Sequence, residues 1–285
     1  MEKNKIIGID VGGSTTKIVG FDLSDERARL LSPIFVKADD PITSIYGAFG
    51  RFTLENGISL PEIESVLMTG VGASHISEPI YSLRCENVNE FKSTGLGGLY
   101  LSGLSEAIVV SMGTGTAMIH AKKTEEGTDI TYLGGTGVGG GTLVGLSRQM
   151  LGIDDISHLA ELCEGGDLNN VDLRIKNLSK KKTYENINDE LTAANFGNLS
   201  DLATKNDIAL GLCNMVAETI GMMSVFAARS YGLKDIVLIG NLSTIPPISE
   251  TILAFNETFG VNFIIPELSQ YGTVIGAALT SEKLK

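Results

Sequence analysis

An α/β fold of two similarly built lobes facing a cleft is predicted by three features of the sequence. Apolar, strand-like runs alternate with segments of helical spacing along the whole chain, the mark of α/β architecture. The opening run, 7-IGIDVGGSTTKIVGFDL-23, is an apolar strand, a turn of glycines and hydroxyl residues, and a second strand; 107-AIVVSMGTGTAMI-119 repeats that order. The 285 residues include 34 glycines, where average usage of about 7% would give roughly 20, and they cluster in loops.

After the opening hairpin, 39-DDPITSIYGAFGRFTLENG-57 places apolar residues at helical spacing, and 61-PEIESVLMTGVGAS-74 reads as a short strand entering a glycine loop. The segment 105-SEAIVVSMGTGTAMIHAKK-123 is the second strand–turn–strand unit. Next, 128-TDITYL-133 reads as a strand, 134–141 as a glycine loop, and 142-TLVGLSRQMLG-152 as a helix. Residues 155–182 suggest a helix followed by the charged loop NLSKKKTYEN, and 205–231 a long helix. The strand in 234-KDIVLIGNLST-244 ends in a polar turn, and 270-QYGTVIGAALTSEKL-284 opens a last helix through a glycine. The echo of the two hairpins places the N-terminal lobe at 1–105 and the C-terminal lobe at 106–285.

A net charge of −12 and a pI near 4.7 argue against non-specific binding to nucleic acid or anionic membrane, which requires basic patches. An anionic ligand must be held locally, by backbone N–H groups and a few lysines. Cys85, Cys163 and Cys213 stand far apart with no C-x-x-C spacing, so neither a disulfide framework nor a zinc site is expected. A reducing, cytoplasmic location is expected, and MEKNKIIGIDVGG passes from charge to strand with no leader-like apolar stretch. The run 208-IALGLCNMVAETIGMMSVFAA-228 has the length of a membrane span. Its Asn214, Glu218 and Thr219 point instead to a buried core or subunit-interface helix.

The opening turn is not a P-loop: GIDVGGSTTK lacks the G-x-x-x-x-G-K-[ST] spacing and leads into a strand instead of a helix. It suits a hairpin whose glycines let the backbone approach phosphate, with Ser14, Thr15, Thr16 and Lys17 as donors and Asp10 placed to hold Mg²⁺ through water. A plain tight turn would favour the same residues. The second turn, with Thr114 and Thr116, strengthens the phosphate reading. The match of 135-GTGVGG-140 to a dinucleotide fingerprint is a decoy. The acidic residue required about 20 positions on would fall in a loop-and-helix segment. That loop is expected to present amides to an anion at the start of the following helix, with a close backbone crossing as the structural alternative.

Taken together and in order, GIDVGGSTTK, MTGVGAS, SMGTGTAM, IVLIGNLS and YGTVIGAA resemble the five-part signature of the actin, hexokinase and Hsp70-type ATPase superfamily. The segments 89-NEF-91, 134-GGTGVGGGTLVGL-146, 164-EGGDLNNVDLRIKNLSK-180 and 191-LTAANFGNL-199 narrow the resemblance to type II pantothenate kinases. The resemblance covers essentially the whole chain. It implies two ribonuclease H-like lobes around an ATP cleft, ATP and Mg²⁺ as cofactors, and phosphorylation of pantothenate to 4′-phosphopantothenate, the entry to coenzyme A.

It also implies roles. Asp10, Val11, Gly12, Gly13 and the donors Ser14 to Lys17 would cradle the phosphates, with Mg²⁺ on Asp10 through water. Thr114 would line them, and Gly139, Gly140, Gly141, Thr142, Leu143 and Val144 would hold the nucleotide from the opposite lobe, with Leu242 beside it. Glu90 would be the general base, although the residues alone do not select it over Glu86 or Glu106. Tyr132, Ala194 and Asn195 would meet the acceptor, the AANFG loop reaching a neighbouring subunit in a homodimer packed through the 205–231 helix. The sequence departs from the family at Tyr132, where an arginine precedes the glycine loop in the relatives. Arg148 and Lys92 are the nearest replacement cations. The departure bears on the acceptor, and leaves open another small-molecule kinase, such as one for amino sugars, a dehydratase activator, or a regulatory protein on the same fold.

Overall fold

The computed structural model describes residues 2–13, 15–37, 40–75, 79–178 and 188–284. The candidate donor Ser14 and most of the predicted lysine-rich loop lie outside the described residues.

In chain order, β1 (Lys5–Val11) and β2 (Thr15–Asp22) form the opening hairpin, followed by β3 (Arg29–Leu30), β4 (Ile34–Lys37), helix α1 (Pro41–Glu55), β5 (Ile63–Thr69) and β6 (Cys85–Asn87). Helix α2 (Glu90–Ser102) leads to β7 (Glu106–Met112), β8 (Thr116–Thr124) and β9 (Gly127–Thr136), then α3 (Gly140–Leu151) and α4 (Ile156–Leu162). The short β10 (Leu173–Arg174), α5 (Ile175–Leu178) and β11 (Thr192–Ala194) precede the long α6 (Lys205–Ser230). The chain closes with β12 (Asp235–Ile239), α7 (Pro246–Leu253), α8 (Phe255–Phe259), β13 (Asn262–Ile264) and α9 (Gly272–Leu279).

The two large sheets share one plan. In the first the order is β3-β2-β1-β5-β6, in the second β9-β8-β7-β12-β13. Each is an antiparallel hairpin (β1–β2, β7–β8) extended by two strands parallel to its first member. The echo in the sequence is thus a repeat in topology. The central strands β1 and β7 are almost continuously buried, as parallel strands covered on both faces must be. The edge strand β9 alternates in exposure. It continues past the predicted end into Gly134–Thr136, with a bulge that skips Leu133 and a left-handed Gly134 (φ 121°).

Capping sets the helix starts. The Asp40 side chain accepts from the Thr43 amide at the head of α1, and Asn89 accepts from the Lys92 amide at the head of α2. Thr204 and Asp207 cap α6 reciprocally, the capping-box arrangement. The apolar α6 is long enough to cross a membrane, yet 61% of that stretch is buried inside the protein. It packs under the second sheet with Val110, Met118 and Leu238, so its hydrophobicity is that of a core helix.

One face of each sheet carries its own core, α1 on the first and α3, α4, α6 and α7 on the second. The other faces meet across a layer of two helices that cross between lobes. Helix α2, from the first part of the chain, lies on the second sheet with Leu99 against Val109 and Ala121. Helix α9, at the end of the chain, lies on the first sheet with Val274 and Ala278 against Ile6, Val19 and Leu67. The helices touch through glycines: a Cβ on Gly97 would stand 1.8 Å from Gly272 O, and one on Gly276 1.7 Å from Ser93 O.

Candidate active site

A cleft of about 640 Å³ opens between the sheets, and both hairpin turns face it. On one wall, Asp10 and Lys17 are cross-strand partners in β1 and β2, and the Gly12 amide closes the turn on Thr15 O at 2.9 Å. Gly12, Gly13, Thr15 and Lys17 line the space. Val11 and Thr16 point the other way: Val11 sits in the core, and Thr16 is buried with its hydroxyl accepting from Ser44. Alternation along a strand requires that split.

On the facing wall the β7–β8 turn brings Gly113 and Thr114 to the cleft. Here the sequence-based expectation for the glycine-rich loop needs correction. The amides of Gly140 and Gly141, at the N-terminus of α3, donate to Gly113 O (2.9 Å) and Thr114 O (2.8 Å). Both glycines line the cleft, but these two amides are used to bind the two loops together. A Cβ at Gly139 would lie 2.7 Å from Thr114 O, so these glycines serve a close backbone crossing, within one lobe. Thr142 is likewise engaged, its hydroxyl donating to Gly137 O and accepting from the Gly139 amide. Leu143 is wholly in the core. Val144 lines the cleft, and Leu242, although almost fully buried, also borders it.

Glu90, the first residue of α2, enters the cleft opposite Asp10. Glu86 and Glu106 do not: the first pairs with Arg84, and the second holds His120 (2.9 Å) and Lys122 (3.1 Å). Of the three carboxylates that the residues alone left equal, the fold thus brings Glu90 to the cleft. Partial burial between the cleft walls pushes the Glu90 carboxyl above its usual range. Burial and the nearby Glu90 charge push Asp10 up to about 6, against the pull of Lys17. Burial lowers Lys17, which Asp10 partly restores, and its Nζ donates to Gln270 O at 2.7 Å. Lys17 is the one cation among the described residues lining the cleft.

Two carboxylates facing one another in a partly dehydrated cleft fit a divalent cation, which would relieve both their repulsion and their lost hydration. Among the described residues there is no group of three or more His, Cys, Asp or Glu able to hold a metal without help. The donor set thus suits an ion that arrives with phosphate oxygens.

The acceptor candidates scatter. Tyr132 is half-exposed and stacks on Phe91, with centroids 4.1 Å apart and planes 13° from parallel. It therefore sits next to the residue that follows Glu90. Asn195 donates to Glu218 of α6 at 2.9 Å, and neither it nor Ala194 lines the cleft. Arg148 pairs with Asp154 at 3.4 Å and, like Lys92, does not reach the cleft, so neither replaces the missing arginine there.

Sequence reasoning missed Gly70, Asn241 and Thr273. Gly70 (φ 88°) packs where a Cβ would meet Val11 O at 2.5 Å and Asp10 Oδ1 at 2.6 Å, so glycine is needed for the Asp10 carboxylate to take its place. Asn241 lines the cleft with a buried Oδ1 that has no protein partner, an acceptor a bound ligand's N–H or O–H could satisfy. Thr273, in α9, borders the cleft and shares a 3.2 Å contact with the hydroxyl of Thr94 in α2. All three lie in the signature segments, but their spacing gives no sign of where they meet. Cys163 and Cys213, 50 residues apart in the sequence, also meet in the fold: their sulfurs are 3.7 Å from one another, buried between α4 and α6.

The family model named Fumble matches residues 105–262. Curated relatives include the type II pantothenate kinase of Staphylococcus aureus strain USA300, 29% identical over 245 residues that span 82% of this chain and 84% of that protein. Among solved structures, the (R)-2-hydroxyglutaryl-CoA dehydratase component A of Acidaminococcus fermentans superposes with a TM-score of 0.68 at 19% identity, covering 98% of each chain. The ROK glucokinase of Streptomyces griseus, in complex with glucose and AMPPNP, does so with a TM-score of 0.57 at 15% identity, over 98% of this chain and 99% of that one. These structures share the two-lobed fold; at such identities the likeness extends no further.

Proposed function

This chain belongs to the Fumble family, that of the pantothenate kinases, and from that premise we propose that it transfers the γ-phosphoryl group of ATP to the primary hydroxyl of pantothenate. The observation that carries the proposal is the convergence of Asp10 and Glu90 between two glycine hairpins. Such chemistry needs positioning and charge neutralisation more than covalent help from the protein.

In this reading the turn at Gly12–Lys17 and the turn at Gly113–Thr114 take the phosphates from opposite sides, through their amides, hydroxyls and Lys17. Asp10 would hold magnesium, which supplies neutralisation of the charge on the β- and γ-oxygens. Glu90 accepts the proton of the acceptor hydroxyl as that oxygen bonds to the γ-phosphorus and the bond to ADP breaks. Its pKa, raised by burial, makes it a better base than an ordinary solvated carboxylate. Leu242 and Val144 would flank the base of the nucleotide, and Asn241 would accept a hydrogen bond from it.

We further propose a homodimer. The half-exposed side of α6 carries Met222, Met223 and Phe226, and the Ala194–Asn195 segment is tied to the same helix through Glu218. A second copy packed there would receive that loop. A reducing cytosol suits the three unpaired cysteines.

The test is a coupled ADP-release assay with pantothenate and Mg-ATP. Glu90→Gln is expected to lower kcat by about 10²–10⁴-fold while an ATP analogue binds as before. Absence of pantothenate-dependent ADP release at saturating substrate refutes the acceptor. A Glu90→Gln protein with parental kcat refutes the role of Glu90. Running amino sugars and pantothenate amides beside pantothenate addresses Tyr132, whose stacking on Phe91 offers an acceptor one hydrogen bond and no charge.

A further inference from the structure

Outside the cleft, the group of side chains with the most chemistry left unused is the pair Cys163 and Cys213. Cys163 ends α4 and Cys213 lies in the middle of α6, both buried, with their sulfurs 3.7 Å apart. A disulfide needs about 2.05 Å, a closure that side-chain rotation of two neighbouring thiols can supply. Cys163 is also the floor of a separate cavity of about 560 Å³, between α4, α6 and the start of α7. Ile245 and Pro246 form an apolar side of that cavity, and Glu161, Glu164 and Glu250 stand around it.

We propose that Cys163 and Cys213 are an oxidation site, converted to an intrachain disulfide by a small, neutral hydroperoxide that enters through this cavity. The inference stands apart from the kinase reading. Cys163 lines the cavity, whereas Cys213 is wholly buried and does not, and the pairing of the two sulfurs lowers the Cys163 pKa while that pairing and burial raise that of Cys213. Cys163 is therefore the attacking sulfur and Cys213 the resolving one. The Cys163 thiolate attacks the terminal peroxide oxygen, the O–O bond breaks, and the released hydroxide of hydrogen peroxide, or the alkoxide of an organic hydroperoxide, takes up a proton to leave as water or alcohol. Cys163 is then a sulfenic acid. The Cys213 sulfur bonds to that of Cys163, the S–O bond breaks, and a water leaves carrying the Cys213 proton. Two thiols have lost two electrons, and the peroxide has gained them. Three carboxylates around the entrance repel anions, so glutathione disulfide, which is bulky and negatively charged, is excluded as the oxidant.

The experiment uses the reduced full-length protein exposed to hydrogen peroxide, quenched with catalase and alkylated in denaturant. The expected result is a mass loss of two hydrogens, a fall from three alkylatable thiols to one, and a Cys163–Cys213 linked peptide that dithiothreitol reverses. Glutathione disulfide at equal concentration is expected to react at least about tenfold more slowly. Cys213→Ser is expected to stop Cys163 at the sulfenic acid, trapped by a dimedone-type reagent. Peptide mapping of the parent protein decides the matter even where that variant does not fold. Cys163 and Cys213 remaining alkylatable while Cys85 is oxidised overturns the proposal. Rapid mixed-disulfide formation at Cys163 on exposure to glutathione disulfide, with release of one glutathione thiolate, overturns the choice of oxidant.

Discussion

Replacing Gly276 by alanine tests the helix layer on which the cleft depends. A Cβ at that position would stand 1.7 Å from Ser93 O, 2.6 Å from Ser93 C and 2.7 Å from Gly97 N, where ordinary contact begins near 3.4 Å. The obstructing atoms are backbone and cannot rotate away, so α2 and α9 must part by about 1.5 Å over at least a turn. Overpacking of a core costs about 1–3 kcal/mol, and the shortfall here is large enough to place the cost at the top of that range. The better helix propensity of alanine returns about 1 kcal/mol. A net loss of about 2 kcal/mol or more is expected, measured by urea unfolding. Gly47→Ala is the matched control: Gly47 is exposed in α1 and nothing lies within 4 Å of its added carbon, so a gain of up to about 1 kcal/mol is expected. Because α2 begins with Glu90 and its Thr94 touches Thr273, parting the helices also moves Glu90 in the cleft, and kcat is expected to fall. A Gly276→Ala protein within about 0.5 kcal/mol of its parent, with unchanged kcat, refutes the reasoning. Equal losses in both variants would mean that glycine itself, and not the crossing, was being measured.

Asp10→Asn is expected to stabilise the ligand-free protein while removing its response to Mg-ATP. With its pKa raised to about 6, the Asp10 carboxylate is ionised in the fold above that pH at a cost that unfolding relieves. The raised pKa corresponds to at most about 3 kcal/mol, and water in the open cleft reduces this to about 1–2. The gain should be full at pH 8, shrink as the pH falls through 6, and vanish at about 3, where the native protein and its unfolded chain both hold the proton. Destabilisation at pH 8, or a full gain that persists at about pH 3, contradicts this account. Phe226→Asp, on the half-exposed face of α6, is expected to convert a dimer to monomers in sedimentation velocity with little change in secondary structure. A monomeric parent, or a variant that stays dimeric, removes that interface.

The two hairpins were legible because glycine and hydroxyl turns between apolar strands are local patterns, and the duplication could be read by comparing the chain with itself. What escaped the sequence depends on contacts between distant residues. Gly140 and Gly141 look like an anion-binding helix start until the carbonyls of Gly113 and Thr114 are seen to occupy their amides. Cys163 and Cys213 are 50 residues apart and meet only because α4 docks on α6. Glu90 could not be separated from Glu86 and Glu106 by spacing; their partners, Arg84, His120 and Lys122, are what exclude the other two. The crossing of α2 and α9 was equally hidden, since no local pattern announces that each helix lies on the sheet formed mainly by the other end of the chain.

That crossing ties the electrostatics of the cleft to its shape. A chain with a net charge of −12 brings, among its described residues, one lysine, Lys17, to a space lined with Asp10 and Glu90, too little side-chain positive charge to balance a nucleotide's phosphates. The carboxylates are held at a cost, visible in the raised pKa of each, which in the proposed reading a cation arriving with the phosphate chain would offset. The first carboxylate rides on the first sheet and the second on α2, which rests on the second sheet. In that reading, charge relief on ligand binding would draw together elements that belong to opposite lobes, across the α2–α9 contact at Gly97 and Gly276. The exposed ion pair between Lys37 of β4 and Asp155 at the head of α4, 2.9 Å long, joins the lobes a second time beside the first hairpin. Exposed pairs of this kind contribute little energy, so any closure that the proposed reading requires would be governed by the carboxylates within the cleft and not by the clasp at its rim.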